Sequence, residues 1–478
     1  AAHWICDGSP EYSLKKSEKK ERGTEIILHI SKDSKDYLEE SKISELLNKY
    51  NKFMPHPIKF GTKEETIPGK EGEKEEKVTI DNIINNPNPA WTKPPADLKD
   101  EDYKQFYREL YPYQFEEPLF HIHLNVDYPF NLTGILYFPK ISNDLNLQKD
   151  RIQLYQNQVF VTDNVEGIVP EFLGLLKGVI DSPDIPLNVS RSYLQSDASV
   201  KKITNYITRK VADKLNSIFK NERENLESKW NDIKVVIEYG MLTEDKFYDK
   251  AESFNLYPTV DDKYFTYEEL EKKIKKLQTD KDGNLIILYA QNKDEQYTYI
   301  ESAKEKGYEV LLLDSPIIPH LMQKLESKKE KIKFSRVDSD TLENLIKKDE
   351  EVISKLTDEE KEKLKPMIET AVENEKYTVQ LEALDSNSMP FMLAQPEFMR
   401  RMKEMQQTGG GAMGNLPEMY SLIVNTNHEL VGKILNTRTE KKRNSLIKQS
   451  IDLAKLSQNN LTGKDLTEFI NRSIDLIK

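Results

Sequence analysis

Apolar residues along the chain recur at two spacings, and each change of spacing marks an element. Alternating or continuous apolar runs predict strands at Glu25–Ile30, Leu119–Val126, Gly134–Phe138 and Ile152–Thr162. Steps of three and four predict helices. One covers Asp36–Asn51, with Leu38, Ile43, Leu46 and Leu47 on its face, and a longer one carries Val200, Ile203, Ile207, Val211, Leu215 and Ile218. Pro170 suits the first residue of a helix whose inner face is Phe172, Leu173, Leu176 and Ile180. Thr266 and Glu269 form a capping box before another helix. Asn284–Ala290 and Glu309–Asp314 are then unbroken apolar strands around a helical stretch, the pattern of a small parallel sheet. Lys328–Lys376 reads as a charged helical bridge. Strands at Tyr377–Leu384 and Tyr420–Val424 follow, and two helices, about Thr439–Leu456 and Lys464–Ile477, close the chain.

These elements group into domains. A length of 478 residues allows about three domains of ~150 residues each. One strand and one helix cannot close a core, so residues 1–62 read as the remnant of a domain. The opening Ala-Ala-His-Trp, without methionine, points the same way. Residues 63–77 hold ten charged side chains in fifteen, plus Pro68, Gly69 and Gly72. Such a stretch buries too little apolar surface to offset its ordering entropy, and a solvated linker is expected. Residues 78–340 and 341–478 form the two larger domains.

Composition narrows the function. Hydrophobic residues make up 37% and charged residues 32%, with a net charge of -12, which argues against a nucleic-acid partner. No apolar run approaches the ~18 residues of a membrane span. The lone Cys6 allows no internal disulfide or cysteine-based metal site, as fits a reducing cytoplasm. His121 and His123 point the same way from one strand, but no third ligand accompanies them, so no metal is expected. A dinucleotide fold is excluded for the parallel sheet, because Gln291-Asn-Lys-Asp follows its first strand where a glycine fingerprint is required.

One stretch carries chemistry. Asp181-Ser-Pro-Asp-Ile-Pro-Leu-Asn-Val-Ser-Arg-Ser-Tyr-Leu-Gln195 resembles the middle-domain signature of the heat-shock protein 90 chaperones, bacterial type. The resemblance is most specific over residues 150–215 and extends more loosely over nearly the whole chain. It implies that Arg191 and Gln195 reach an ATP held by another domain, where a guanidinium fork offers paired donors to phosphate oxygens. Asp181 and Asp184 are expected to cap and position that loop. Phe160 matches a hydrophobic position that supports it. Glu21–His29 resembles the closing strand of the family's nucleotide-binding domain, placing Thr24 near the nucleotide. The rest of that pocket has no counterpart in this sequence. The resemblance thus implies ATP with Mg2+ for the complete protein, and no cofactor for this chain alone.

The fold class that results is α/β, or α+β multidomain. An αβα-sandwich middle domain leads through a helical segment to a small αβ unit, then to a mixed α/β C-terminal dimerisation domain. Seven of the eleven methionines lie between Met389 and Met419. Phe398, Met399, Met402 and Met405 share one helical face ahead of Gly409-Gly-Gly411, and flexible, polarizable methionine suits surfaces that fit many partners. These four residues, with Trp91, His320 and Met322, are the expected contacts for partly folded client proteins. Phe115 stands where the family usually has Trp. The stripes Ile447, Ile451, Ala454 and Phe469, Ile470, Ile474 are the expected homodimer interface, as a four-helix bundle built by two chains. The expected function is an ATP-dependent, cytoplasmic chaperone that works as a dimeric clamp. A nucleotide-independent dimeric holdase or scaffold is the alternative.

Overall fold

The computed structural model describes residues 1–67, 76–140, 152–185, 198–349, 352–372, 376–409 and 419–477. The chain divides into two compact units, one of residues 1–88 with 157–160, the other of the remainder.

The first unit opens with a hairpin of β1 (Ala2–Cys6) and β2 (Tyr12–Lys16). Its register places Trp4, Tyr12 and Leu14 on one face, all exposed. The strand expected at Glu25–Ile30 is not formed, and Ile26, Ile27 and Leu28 are 78%, 68% and 76% exposed. A strand needs a neighbour to pair its peptide groups, and the described residues supply none here. The helix expected over Asp36–Asn51 is also interrupted. A 3-10 turn, Lys32–Leu38, ends at Glu39, whose extended backbone separates it from the helix Glu40–Tyr50. Residues 63–67 and 76–77 of the expected charged linker stand in an antiparallel ladder of β3 (Lys59–Ile67) and β4 (Glu76–Ile83), and the rest of it lies outside the described residues. Ion pairs Lys77–Glu64 at 3.3 Å and Lys59–Asp81 at 2.6 Å let oppositely charged side chains face each other across it. Asn85 fastens its base, accepting from Ile58 N and donating to Met54 O and His56 O. Phe160 sets its ring edge-on against Tyr50 at 6.0 Å.

The second unit is built on a five-stranded sheet. Its members are β5 (Phe120–Val126), β6 (Leu132–Phe138), β7 (Ile152–Gln156), β8 (Val159–Thr162, of which Val161 and Thr162 fall in this unit) and β9 (Lys177–Asp181), in the order β5-β6-β9-β7-β8. On one face the helix Ala198–Asn221 buries Val200, Ile203, Ile207, Val211, Leu215 and Ile218, as its spacing predicts. On the other lies the helix Asp100–Leu110, with Tyr107 stacked edge-on to Tyr137 at 4.9 Å. The result is the expected sandwich. Pro170 does not begin an α-helix. It precedes a 3-10 turn, Glu171–Leu175, after which the chain straightens into β9 and delivers Ile180 to the sheet core. At Gly178, with φ +129°, an added Cβ would lie 2.0 Å from Ile135 O, so β6 and β9 close up only around glycine.

A minimal ribbon, β10 (Tyr257–Pro258) with β11 (Tyr264–Phe265), leads to a parallel sheet of β12 (Leu285–Ala290), β13 (Val310–Leu312) and β14 (Ile332–Arg336), ordered β13-β12-β14. β14 falls within the expected helical bridge, whose described residues after it are helical at Leu342–Leu345 and Asp358–Val372. The last sheet comprises β15 (Tyr377–Glu382), β16 (Phe391–Ala394) and β17 (Tyr420–Asn425), ordered β15-β17-β16. Helices Asp358–Val372, Glu429–Asn436 and Glu440–Leu456 enclose a core against it. The α/β class holds throughout.

Candidate functional site

Asp181 ends β9, and the residues after it leave the sheet under close restraint. Ser182 N donates to Tyr155 O, and Ser182 Oγ donates to Asn131 O at 2.6 Å. Asn131 N donates to Asp184 Oδ2 at 2.7 Å, and Gln156 Nε2 donates to Pro183 O at 3.0 Å. Asp181 itself is buried and accepts the indole N–H of Trp91 at 3.2 Å. Asp181 and Asp184 thus tie the end of β9 and the residues just after it to Trp91 and Asn131. Residues 186–197, Arg191 and Gln195 among them, lie outside the described residues. The chain reappears at the helix Ala198–Asn221, where Thr204 Oγ1 donates to Ile168 O at 2.7 Å. Thr24 sits exposed in an irregular stretch of the first unit.

Trp91 is a correction. It is 1% exposed, packed between Phe106 and Tyr155 at centroid distances of 5.4 and 5.2 Å, and is no surface aromatic. Met322 is likewise fully buried, while His320 beside it is half-buried. Phe115, by contrast, is 98% exposed. His121 and His123 do face one way, both against Tyr103. His121 stacks on its ring at 3.7 Å, and His123 Nδ1 lies 3.0 Å from its hydroxyl. Burial, reinforced by Lys214, holds His121 down to about 4, and burial also lowers His123. Among the described residues no group of three His, Cys, Asp or Glu is placed to hold a metal.

The methionine helix forms, at Glu397–Gly409. Phe398 is 71% exposed, and Met399, Met402 and Met405 are half-buried. Sequence reasoning missed what holds it. Arg400, 3% exposed, pairs with Glu397 and Glu404 and donates to Tyr289 Oη. Tyr289 Oη donates in turn to Glu397 Oε1 at 2.8 Å. Arg401 pairs with Glu397 and, at 2.8 Å, with Glu326 on the helix Ile318–Lys328. Arg336 N donates to Glu397 Oε2, and Gln291 Nε2 donates to Glu404 Oε2. Burial opposes the ionised form of Glu397, but Arg400 and Arg401 outweigh it and hold the carboxyl below its ordinary range. The available signal was the charged spacing at 397, 400, 401 and 404.

The expected dimer residues divide. Ile447, Ile451 and Ala454 belong to the chain's own core, which is a correction, and Phe469 is 9% exposed. They are covered because the sheet β15-β17-β16 needs an apolar layer on this side. Ile470 and Ile474 on the helix Gly463–Ile477 remain 48% and 47% exposed, as do Leu453 and Leu456 at 48% and 40%. Gln449 Nε2 donates to Ser473 Oγ and Arg472 pairs with Asp452, tying the two last helices together. No helix among the described residues is long and apolar enough to cross a membrane.

Comparison with known proteins places these features in one family. The family model described as Hsp90 protein matches residues 62–472. The chaperone protein htpG of Bacteroides fragilis (strain YCH46) is 48% identical over 546 aligned positions, spanning 100% of this chain and 79% of that protein. The chaperone protein HtpG of Porphyromonas gingivalis (strain ATCC 33277) is 52% identical over 461, spanning 95% of this chain and 67% of its own length. That of Clostridium perfringens (strain ATCC 13124) is 28% identical over 492, with 100% and 77% covered.

Proposed function

The chain belongs to the Hsp90 family of chaperones, and from that premise we propose that it supplies the client-binding and dimer-forming parts of an ATP-dependent, cytoplasmic chaperone. ATP with Mg2+ binds in the full-length protein, where Arg191 and Gln195 reach the terminal phosphate and Thr24 lies near the nucleotide. This chain alone neither binds nor hydrolyses ATP. The observation that carries the reading is the restraint on Ser182–Asp184, since a loop delivering an arginine to another domain needs a fixed base. Client proteins in a partly folded state dock on the Phe398, Met399, Met402 and Met405 stripe, which is apolar and faces outward at Phe398.

Homodimerisation uses the exposed stripe Leu453, Leu456, Ile470 and Ile474 in place of the buried Ile447, Ile451 and Ala454. Two copies that cover one another's stripes remove this apolar surface from water. The test is turnover in the protein extended to the full length of its relatives. Arg191→Ala should lower ATP hydrolysis on the order of 10²-fold with client binding intact. Unchanged turnover removes Arg191 from the mechanism and leaves the nucleotide-independent holdase.

A further inference from the structure

The helix Glu397–Gly409 is amphipathic, yet it is seated by its polar side. Glu397, Arg400, Arg401 and Glu404 lie at steps that share one helical face. All four bond to groups carried by the parallel sheet and the helix Ile318–Lys328. On the stripe beside them Phe398 is exposed and Met399, Met402 and Met405 are only half-buried, while Arg400 is fully buried. This reverses the usual arrangement, in which the apolar stripe faces the core. Hydrophobic attraction by itself rolls such a helix the other way, burying Phe398. The ion pairs and hydrogen bonds oppose that roll, and their geometry is directional. Guanidinium forks bond in a plane, and Tyr289 Oη accepts from Arg400 while donating to Glu397, so it closes the network at its most buried point.

We infer that Tyr289, Glu326, Arg400 and Arg401 are positioning residues for client binding: their network fixes the rotation of the helix about its axis and holds the Phe398–Met402 side outward, where an extended apolar polypeptide segment docks. The inference rests on the reading of that stripe as the client contact. No member of the network needs to touch the client. Arg401 is anchored at both ends, to Glu397 on its own helix and to Glu326 across the junction, and it also donates to Phe334 O.

The test uses the whole chain and a permanently unfolded polypeptide, reduced and carboxymethylated α-lactalbumin, followed by fluorescence anisotropy. Tyr289→Phe and Glu326→Gln should each weaken its binding about tenfold, and should raise amide exchange over residues 397–409 by a similar factor. The melting transition and exchange elsewhere should not move, which a merely structural role would not allow. Arg401→Lys keeps the charge but loses the fork, and should behave as Glu326→Gln does. Phe398→Ser should weaken binding with exchange unchanged. If Phe398→Ser binds normally, the client reading itself fails. If it binds weakly while Tyr289→Phe and Glu326→Gln bind as the parent does, the client reading stands and the positioning role is overturned.

Discussion

Glu238 holds a carboxyl inside the core of the second unit. It is 6% exposed on the helix Trp230–Thr243, and its Oε2 finds no hydrogen-bond partner among the described residues. Burial pushes it up to about 7, against the opposing pull of Ser315 and of Lys234, whose ammonium is paired with Asp314 at 2.5 Å. The folded chain therefore binds this proton more tightly than the unfolded chain, whose value is 4.5. The stability it contributes is full below 4.5 and is lost as pH rises through about 7. Glu238→Gln should flatten that slope and stabilise the chain by on the order of 1–3 kcal/mol at alkaline pH. Melting curves across neutral pH decide it: an equal slope in both proteins would show that Glu238 does not titrate there. Trp91→Phe keeps the packing against Phe106 and Tyr155 but leaves Asp181 one donor short. A loss of about 1–2 kcal/mol is expected in denaturant unfolding. Neither residue's environment was legible in the sequence. A tryptophan between prolines looks like a surface aromatic, and a helix position says nothing of what lands on it from Asp314 and Ser315, just after β13.

At the scale of elements, periodicity served best where one helix meets one sheet. The stripe from Val200 to Ile218 and the strands β12 and β13 were legible because a single buried face dictates them. It misled where two elements share one apolar run. Phe172, Leu173 and Leu176 step like a helix, yet a 3-10 turn and the start of β9 bury the same side chains. The β3–β4 ladder was hidden because charged residues satisfy each other across strands, a pairing that composition cannot display. Gly178 tests the sheet that launches the Asp181 loop. Gly178→Ala forces a Cβ into Ile135 O, and a loss of about 3 kcal/mol or more is expected, seen as a lower denaturant midpoint. A midpoint within error of the parent would mean that β6 and β9 can part at little cost. The arginines of the methionine helix were read past for a related reason. Charged residues beside methionines look like the solvated side of an amphipathic helix, and only a partner surface far along the chain reverses that.

At the scale of the molecule, the proposed dimer would have the last two helices separate folding from assembly. Ile447→Ser strikes the core around β17 and should destabilise the chain by about 3 kcal/mol or more. Ile470→Ser with Ile474→Ser strikes only exposed positions. On the proposed dimer, that double variant should melt as the parent does at low concentration, yet sediment as a monomer under conditions where the parent should sediment as a dimer. A dimer that survives it would move the interface off this stripe. The sequence showed that these helices have apolar stripes but could not apportion them, because covering from within and covering from a second copy leave the same pattern.

The parallel sheet bears on more than packing. Open sheets of this order receive small ligands outside the carboxyl ends of their strands, where the strand order reverses. The reversal here lies between β12 and β14, at Gln291 and Arg336, and Arg400 of the methionine helix reaches Tyr289 there. The protein has seated one of its own guanidinium groups where other sheets seat a nucleotide. The helix is in this sense an intramolecular ligand, held at an effective concentration set by its tether. Free arginine is then its competitor, and amide exchange over residues 397–409 should quicken in free arginine well before the core opens.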